Sequence, residues 1–367
     1  MVESNCDDQA MGASNPTVSN LKRAEKQGRR FLNPVPTTIG GFGMVFKVLP
    51  LYLENKAQVE PKRPLGPFLT DVRAFAAAPA SGLRVTWFGH SGSLIEIDGM
   101  RVLVDPIWEQ RASPFEFMGP KRFFQPTIAL DDLPKIDVVL ISHDHYDHLG
   151  AQTVRRLAEG KAAAGARWIT SLGVGRRLRG FGVAAERITE LDWTESVEVG
   201  ALNVTSWPAR HFSGRGLLDR FRTLWGSFVI EGPRHRVYFG ADSGWWEGFG
   251  EIAAQYDGFD LTMLEIGAFH PLWSAIHLGP DNAAKAFEAM GSRGLMMPIH
   301  WGLFNLALHA WKQPVERMVE LADERGIKLW LPEPGAPTEV VAGVELRSGW
   351  WEQVSESASQ QVSESVR

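Results

Sequence analysis

Short apolar runs, each closed by a polar or small residue, recur along the chain from Arg84 onward. Runs of this length, rich in Val, Ile, Leu, Trp and Phe, fit buried strands better than helices, which need longer periodic stretches. The pattern predicts strands over Arg84–Phe88, Ser93–Ile97, Arg101–Val104 and Asp137–Ser142, followed by a helix over Gln152–Ala158. A second half repeats the theme with strands over Asn203–Trp207, Ser227–Glu231, Val237–Gly240, Leu261–Glu265 and Leu295–Ile299. Asp281, whose carboxylate can accept from the unpaired N–H groups of a first helical turn, is expected to cap a helix running to Met290. Alternation of this kind gives a mixed α/β fold and no more.

The ends of the chain read differently. Residues 1–28 are rich in Ser, Asn, Asp, Gln and Lys and lack the apolar core of a secretory signal, so a disordered segment is expected there. Residues 29–80 are expected to form an arm packing on a core domain over 81–350. The polar tail, 351–367, repeats Gln-Val-Ser-Glu-Ser at 353–357 and again at 361–365, and reads as a solvated end. Within the arm, the apolar segment Ile39–Leu53 is too short, and too interrupted by Gly, Lys and Pro, to span a bilayer. It is read as part of the packed arm, with a peripheral dip into a membrane interface as the alternative.

Composition narrows the classes. The chain has 367 residues, 44% of them hydrophobic, enough for a large single core. A net charge of −5 offers no basic face for nucleic acid. The one cysteine, Cys6, allows no internal disulfide and suits a reducing compartment, so a cytoplasmic location, peripheral on a membrane if the arm docks there, is expected. Nothing in the pattern opposes an oligomer.

The densest chemistry follows the apolar run Ile136–Leu140, where Ile141-Ser142-His143-Asp144-His145-Tyr146-Asp147-His148 places four metal-type ligands in six residues. The loop leaving the C-terminal end of a buried strand is where α/β sheets hold their sites. His143 and His145 alternate and can turn to one cation; Asp147 and His148 are adjacent, point apart, and can reach a second. Three more candidates stand at later strand ends: His211 after Pro208-Ala209-Arg210, Asp242 after the strand ending at Gly240, and His300 after Pro298-Ile299.

This constellation resembles the metallo-β-lactamase superfamily, and stretches outside the ligands narrow the resemblance to its N-acylphosphatidylethanolamine-hydrolysing phospholipase D branch. Those stretches include Val85-Thr86-Trp87-Phe88-Gly89-His90, Met118-Gly119-Pro120-Lys121-Arg122-Phe123, Glu190-Leu191-Asp192-Trp193 and Leu224-Trp225-Gly226-Ser227. The likeness runs from about Val85 to about Leu306. Two departures stand out: Ser91-Gly92 after His90, and Ala241 where a glycine commonly precedes the aspartate.

The resemblance implies a four-layer αββα sandwich. It also implies two zinc ions per chain, iron or manganese not being excluded by the donor set, with His143, His145 and His211 on one, Asp147, His148 and His300 on the other, and Asp242 between them. A water shared by the cations would be the nucleophile. Iron-dependent redox relatives tend to carry glutamate at the position of His145, so hydrolysis is the expectation. The implied activity is phosphodiester hydrolysis of an amphiphilic, phospholipid-like substrate. A lactonase or carboxylic ester hydrolase is the alternative within hydrolases, and a non-catalytic metal-stabilised binding protein the alternative outside them.

His277 and Asp147 are the candidate catalytic residues, His277 as a proton donor to the leaving alkoxide or a partner for a phosphoryl oxygen. Trp245, Trp246, Phe269 and Trp273 are candidates for an apolar substrate wall. Arg215, with Arg220 and Arg222 on the same loop, is a candidate for holding phosphate.

Overall fold

The structure is a computed structural model, and it describes residues 21–40, 50, 51, 54, 56–216 and 218–352. Two mixed sheets carry the architecture. The first orders its strands Thr338–Glu339, Leu83–Gly89, Gly92–Ile97, Met100–Val104, Val138–Ile141, Arg167–Ser171 and Ile188–Leu191. The second runs Leu295–Ile299, Leu261–Glu265, Arg236–Phe239, Ser227–Glu231, Leu202–Trp207 and Ser196–Val199. Each combines antiparallel hairpins with a parallel stretch.

Side-chain alternation explains why the sheets stack. In the first sheet Val85, Trp87, Ile95, Val102, Val104, Val138 and Leu140 point into the core shared with Val204, Phe228, Ile230 and Met263 of the second. Their neighbours Phe88, Leu94, Leu103, Val139 and Ile141 point the other way, onto Val154 and Leu157 of the helix Ala151–Glu159 and Leu178 of the helix Gly175–Gly180. A strand apolar on both faces is stable only when both faces are covered, so helices must lie outside the sheets. The outer face of the second sheet is closed by the helices Gly248–Ala253, Gly279–Ala289 and Gln313–Arg325, through Phe249, Phe287, Val315 and Met318. This is the four-layer αββα arrangement.

Several expectations are corrected. The helix expected to start at Asp281 begins at Gly279 with Pro280 in its first turn; Asp281 lies inside that turn and pairs with Arg317 of the next helix at 3.0 Å. Order reaches into the stretch expected to be disordered, since Lys26–Gln27 pairs with Arg30–Phe31 and Ala24 N donates to Asp192. The buried Phe31 packs with Trp193, Leu224 and Trp225. At the other end Trp351, expected to open a solvated tail, is 2% exposed and belongs to the core. Most of Ile39–Leu53, the repeats after Glu352, and Cys6 lie outside the described residues. Among the described residues no helix is long and apolar enough to cross a membrane.

Candidate metal centre

The strands Val138–Ile141, Leu202–Trp207, Arg236–Phe239 and Leu295–Ile299 end at one edge of the sandwich, and the loops leaving them carry the expected ligands. The backbone turns sharply there. His90, Asp105, Ala241, Ala268 and His300, all at strand ends facing the site, have φ between 37° and 62°, a left-handed conformation that is costly for a residue with a Cβ. At Ala241 this is the turn for which a glycine would be the easy choice.

Two groups of donors result. His143, His145, His211 and Asp242 bring one ligand atom each within 4.8 Å of one another, and so do Asp147, His148 and His300, with His90 added. Asp242 reaches into both groups: its carboxylate lies 3.2 Å from His148 Nε2 and 3.1 Å from His300 Nε2. All seven sequence-predicted ligands are therefore brought together.

The hydrogen bonds behind the rings decide which nitrogens face inward. His211 Nδ1 donates to the Ile276 carbonyl at 2.9 Å, and His148 Nδ1 lies 2.7 Å from the Asp105 carboxylate. The Ser142 hydroxyl, which donates to Asp105 at 2.6 Å, can accept from His143 Nδ1 at 2.9 Å. Each proton spent outward leaves an Nε2 lone pair facing the centre. The Nε2 atoms of His143 and His211 lie 2.9 and 3.3 Å from His145 Nδ1, where one proton can serve only one of them. His148 Nε2, both ring nitrogens of His300 and one Asp242 oxygen are buried without a hydrogen-bond partner. Converging lone pairs and orphaned buried donor atoms are what a cation site requires, and the all-imidazole and carboxylate set fits zinc.

Electrostatics agree. Burial holds the imidazoles of His143 and His211 well below their ordinary range, so both are neutral and available as ligands. Burial also opposes charge on His148 and His300, but the neighbouring carboxylates of Asp242 and Asp147 outweigh it, lifting His148 well above its ordinary value and His300 to about 10. Burial pushes the carboxyls of Asp147 and Asp242 upward, and the adjacent histidines more than reverse it. These largely buried carboxylates thus require positive charge, which protons or cations can supply.

Three functional side chains escaped the sequence reading. His90 Nε2 sits 2.9 Å from Asp147 Oδ2. Asp105 orients His148 and Ser142. Glu265 lies 2.7 Å from His277 Nδ1 and accepts from Ser243 N and Leu278 N. Each directly ends or follows an apolar strand, the same signal that picks out the ligands.

A cavity of about 410 Å³ opens on the centre, lined by the polar side chains His145, Asp147, Asp242, His277, His300 and Arg220 and by the apolar Phe212, Ala268, Trp273, Ile276, Leu306 and Ile39. His277 and Trp273 thus face it. The other candidate substrate residues do not. Trp246 is buried among core side chains, Trp245 stacks on Phe249 at 5.9 Å under Lys285, and Phe269 stacks on His309 at 4.7 Å. Arg215 lies over the Tyr146 ring and donates to the carbonyls of Asp144 and Leu149, bracing the ligand loop.

Comparison with known proteins places this geometry in a class. A family model described as a beta-lactamase superfamily domain matches residues 100–301. The chain belongs to the metallo-β-lactamase superfamily, and its site is that of a metal-dependent hydrolase. It is 35% identical to N-acyl-phosphatidylethanolamine-hydrolyzing phospholipase D 1 of Caenorhabditis elegans, over 67% of this chain and 71% of that protein. It is 43% identical to an uncharacterized protein of Mycobacterium tuberculosis, over 81% of this chain and 79% of the other. Among solved structures, the isothiocyanate hydrolase from Delia radicum gut bacteria shares the fold with a TM-score of 0.57 at 17% identity, covering 71% of this chain and 99% of that one.

Proposed function

We propose that the protein is a phosphodiesterase of phospholipase D type, acting on an N-acylphosphatidylethanolamine-like amphiphile. The observation that carries this reading is the composition of the cavity: donors for two cations, His277 beside them, and apolar side chains in the same lining. The relationship to the nematode phospholipase supports it. His143, His145 and His211 would hold one zinc ion, Asp147, His148 and His300 the other, and Asp242 both. When bound, the ions would acidify a water and offset charge growing on the phosphoryl oxygens.

The chain's own residues do the rest. Glu265 holds His277 Nδ1, leaving Nε2 to carry a proton to the departing alkoxide. His90 braces the Asp147 carboxylate so that it keeps one orientation. Phe212, Trp273, Ile276 and Leu306 accept the alkyl portion and exclude water.

The test is hydrolysis by the zinc-loaded full chain of N-acylphosphatidylethanolamine in mixed micelles, set against a lactone and a carboxylic ester. Release of N-acylethanolamine is expected; turnover of the lactone alone would replace the phosphodiester by an acyl substrate. Elemental analysis is expected to find two metals per chain. His277→Ala should keep both and lose about 10²- to 10⁴-fold in turnover, most of it recovered on a nitrophenyl phosphodiester whose leaving group needs no proton.

A further inference from the structure

The loop around residues 212–223 carries three arginines, and the fold employs them differently. Arg215 is spent on the ligand loop, as described above. Arg222 is exposed. Arg220 lines the cavity that opens on the metal centre. Its guanidinium carbon lies 4.9 Å from the centre of the Phe212 ring and 5.6 Å from that of Phe221. The Phe212 ring in turn packs on His145 at 4.5 Å and His211 at 5.0 Å, so one aromatic ring separates the guanidinium from two ligand histidines.

Arg220 is underused where it stands. Of the five N–H donors a guanidinium carries, Nη1 donates to the Gly40 carbonyl at 3.2 Å, while Nε is buried and has no partner among the described residues. No described carboxylate forms an ion pair with it, whereas the neighbouring Arg177 is paired with both Asp144 and Asp219. Its surroundings depress its pKa through burial and through the nearby cation Arg30, with no acid to compensate. An arginine stays protonated under such conditions, so a half-buried positive charge with free donors faces the cavity. A ligand that carries one negative charge and two oxygens would complete it.

We propose that Arg220 forms an anion subsite of this cavity, binding a non-reacting oxygen of a phosphodiester and selecting that class over uncharged esters and lactones. The inference rests on the hydrolase reading above and narrows its substrate class. The adjacent rings of Phe212 and Phe221 pack against the guanidinium, a contact that suits its flat, delocalised charge better than a compact ammonium.

Binding of diethyl phosphate and of uncharged triethyl phosphate to the zinc-loaded full chain, measured by calorimetry, tests it. Arg220→Gln is expected to weaken diethyl phosphate about 10- to 100-fold, the range of a lost charge-assisted hydrogen bond, and to leave triethyl phosphate unchanged. Arg220→Lys should recover part of that loss. For bis(p-nitrophenyl) phosphate, kcat/KM should fall in parallel, chiefly through KM, while p-nitrophenyl acetate turnover holds. Arg179→Gln, on the exposed face of another helix, should match the parent throughout. Equal diethyl phosphate binding by the parent and Arg220→Gln would overturn the subsite. So would a parallel loss on charged and neutral ligands, or a loss in Arg220→Gln accompanied by reduced metal content. Arg220-dependent binding of diethyl phosphate and turnover of bis(p-nitrophenyl) phosphate in a chain that leaves N-acylphosphatidylethanolamine intact would remove the phospholipase reading and leave the subsite standing.

Discussion

Asp105 shows how much of the centre depends on a residue that would not itself hold metal. It is fully buried, and one carboxylate serves Ser142 N at 2.8 Å, the Ser142 hydroxyl at 2.6 Å and His148 Nδ1 at 2.7 Å. Burial raises its pKa, and the contacts with His148 and Ser142 pull it the other way. Asp105→Asn keeps the volume but replaces one acceptor oxygen by a donor, and the ring of His148 loses its fixed tautomer. Zinc affinity measured by chelator competition is expected to fall about 10- to 100-fold, the usual cost of removing such an outer hydrogen bond. An unchanged affinity would reduce Asp105 to a packing role.

The helix Ala151–Glu159 follows the ligand loop directly, so its first turn sets where that loop ends. Its N-cap is Gly150, which has no side chain to offer. The cap comes from elsewhere in the chain: Glu109 Oε1 accepts from Gln152 N at 2.9 Å and Thr153 N at 3.1 Å, and Oε2 accepts from the Thr153 hydroxyl at 2.6 Å. The glycine is what admits the carboxylate, since a Cβ at position 150 would stand 1.9 Å from Glu109 Oε2. Glu109→Ala should therefore cost about 1 to 2 kcal/mol in urea denaturation, as loss of an N-cap does, and Gly150→Ala should cost in the same direction by expelling Glu109. Equal midpoints for parent and both variants would show the helix to be anchored by its apolar face alone.

At the scale of the whole molecule the last described helical turn closes the core. Trp350 stacks on Trp301 at 5.3 Å, touches Trp87 and lies against Phe68 and Phe124, and Trp301 directly follows the candidate ligand His300. Trp350 thus supports the loop that carries a ligand. Trp350→Ala is expected to cost about 3 to 5 kcal/mol, seen as a lower Tm, because an aromatic cavity in a packed core collapses only in part. Loss of metal content alongside would show that the strain reaches His300; a Tm within 1 °C of the parent would show Trp350 to be dispensable.

The strands and the ligands were legible from residue order because both are local signals. Short continuous apolar runs mark strands wherever both faces are covered, and the four donors of His143–His148 are unusual enough to need no distant context. A donor placed just past a strand end is also a local feature, which is why His211, Asp242 and His300 could be named, and why His90, Asp105 and Glu265 carried the same mark without being read. Facing was not legible. Trp245, Trp246 and Phe269 sit beside site residues in sequence yet point into other packing, and Arg215 braces a loop while Arg220, five residues on, faces the cavity. Asp281 has the right chemistry for a cap, but Pro280 already suits the first turn and starts the helix earlier. Residue order by itself determined which chemistry is present and that it lies at strand ends. Only the tertiary structure decided that these ends meet, because convergence depends on the parallel pairing of strands far apart in the chain and on two sheets burying their apolar faces against each other.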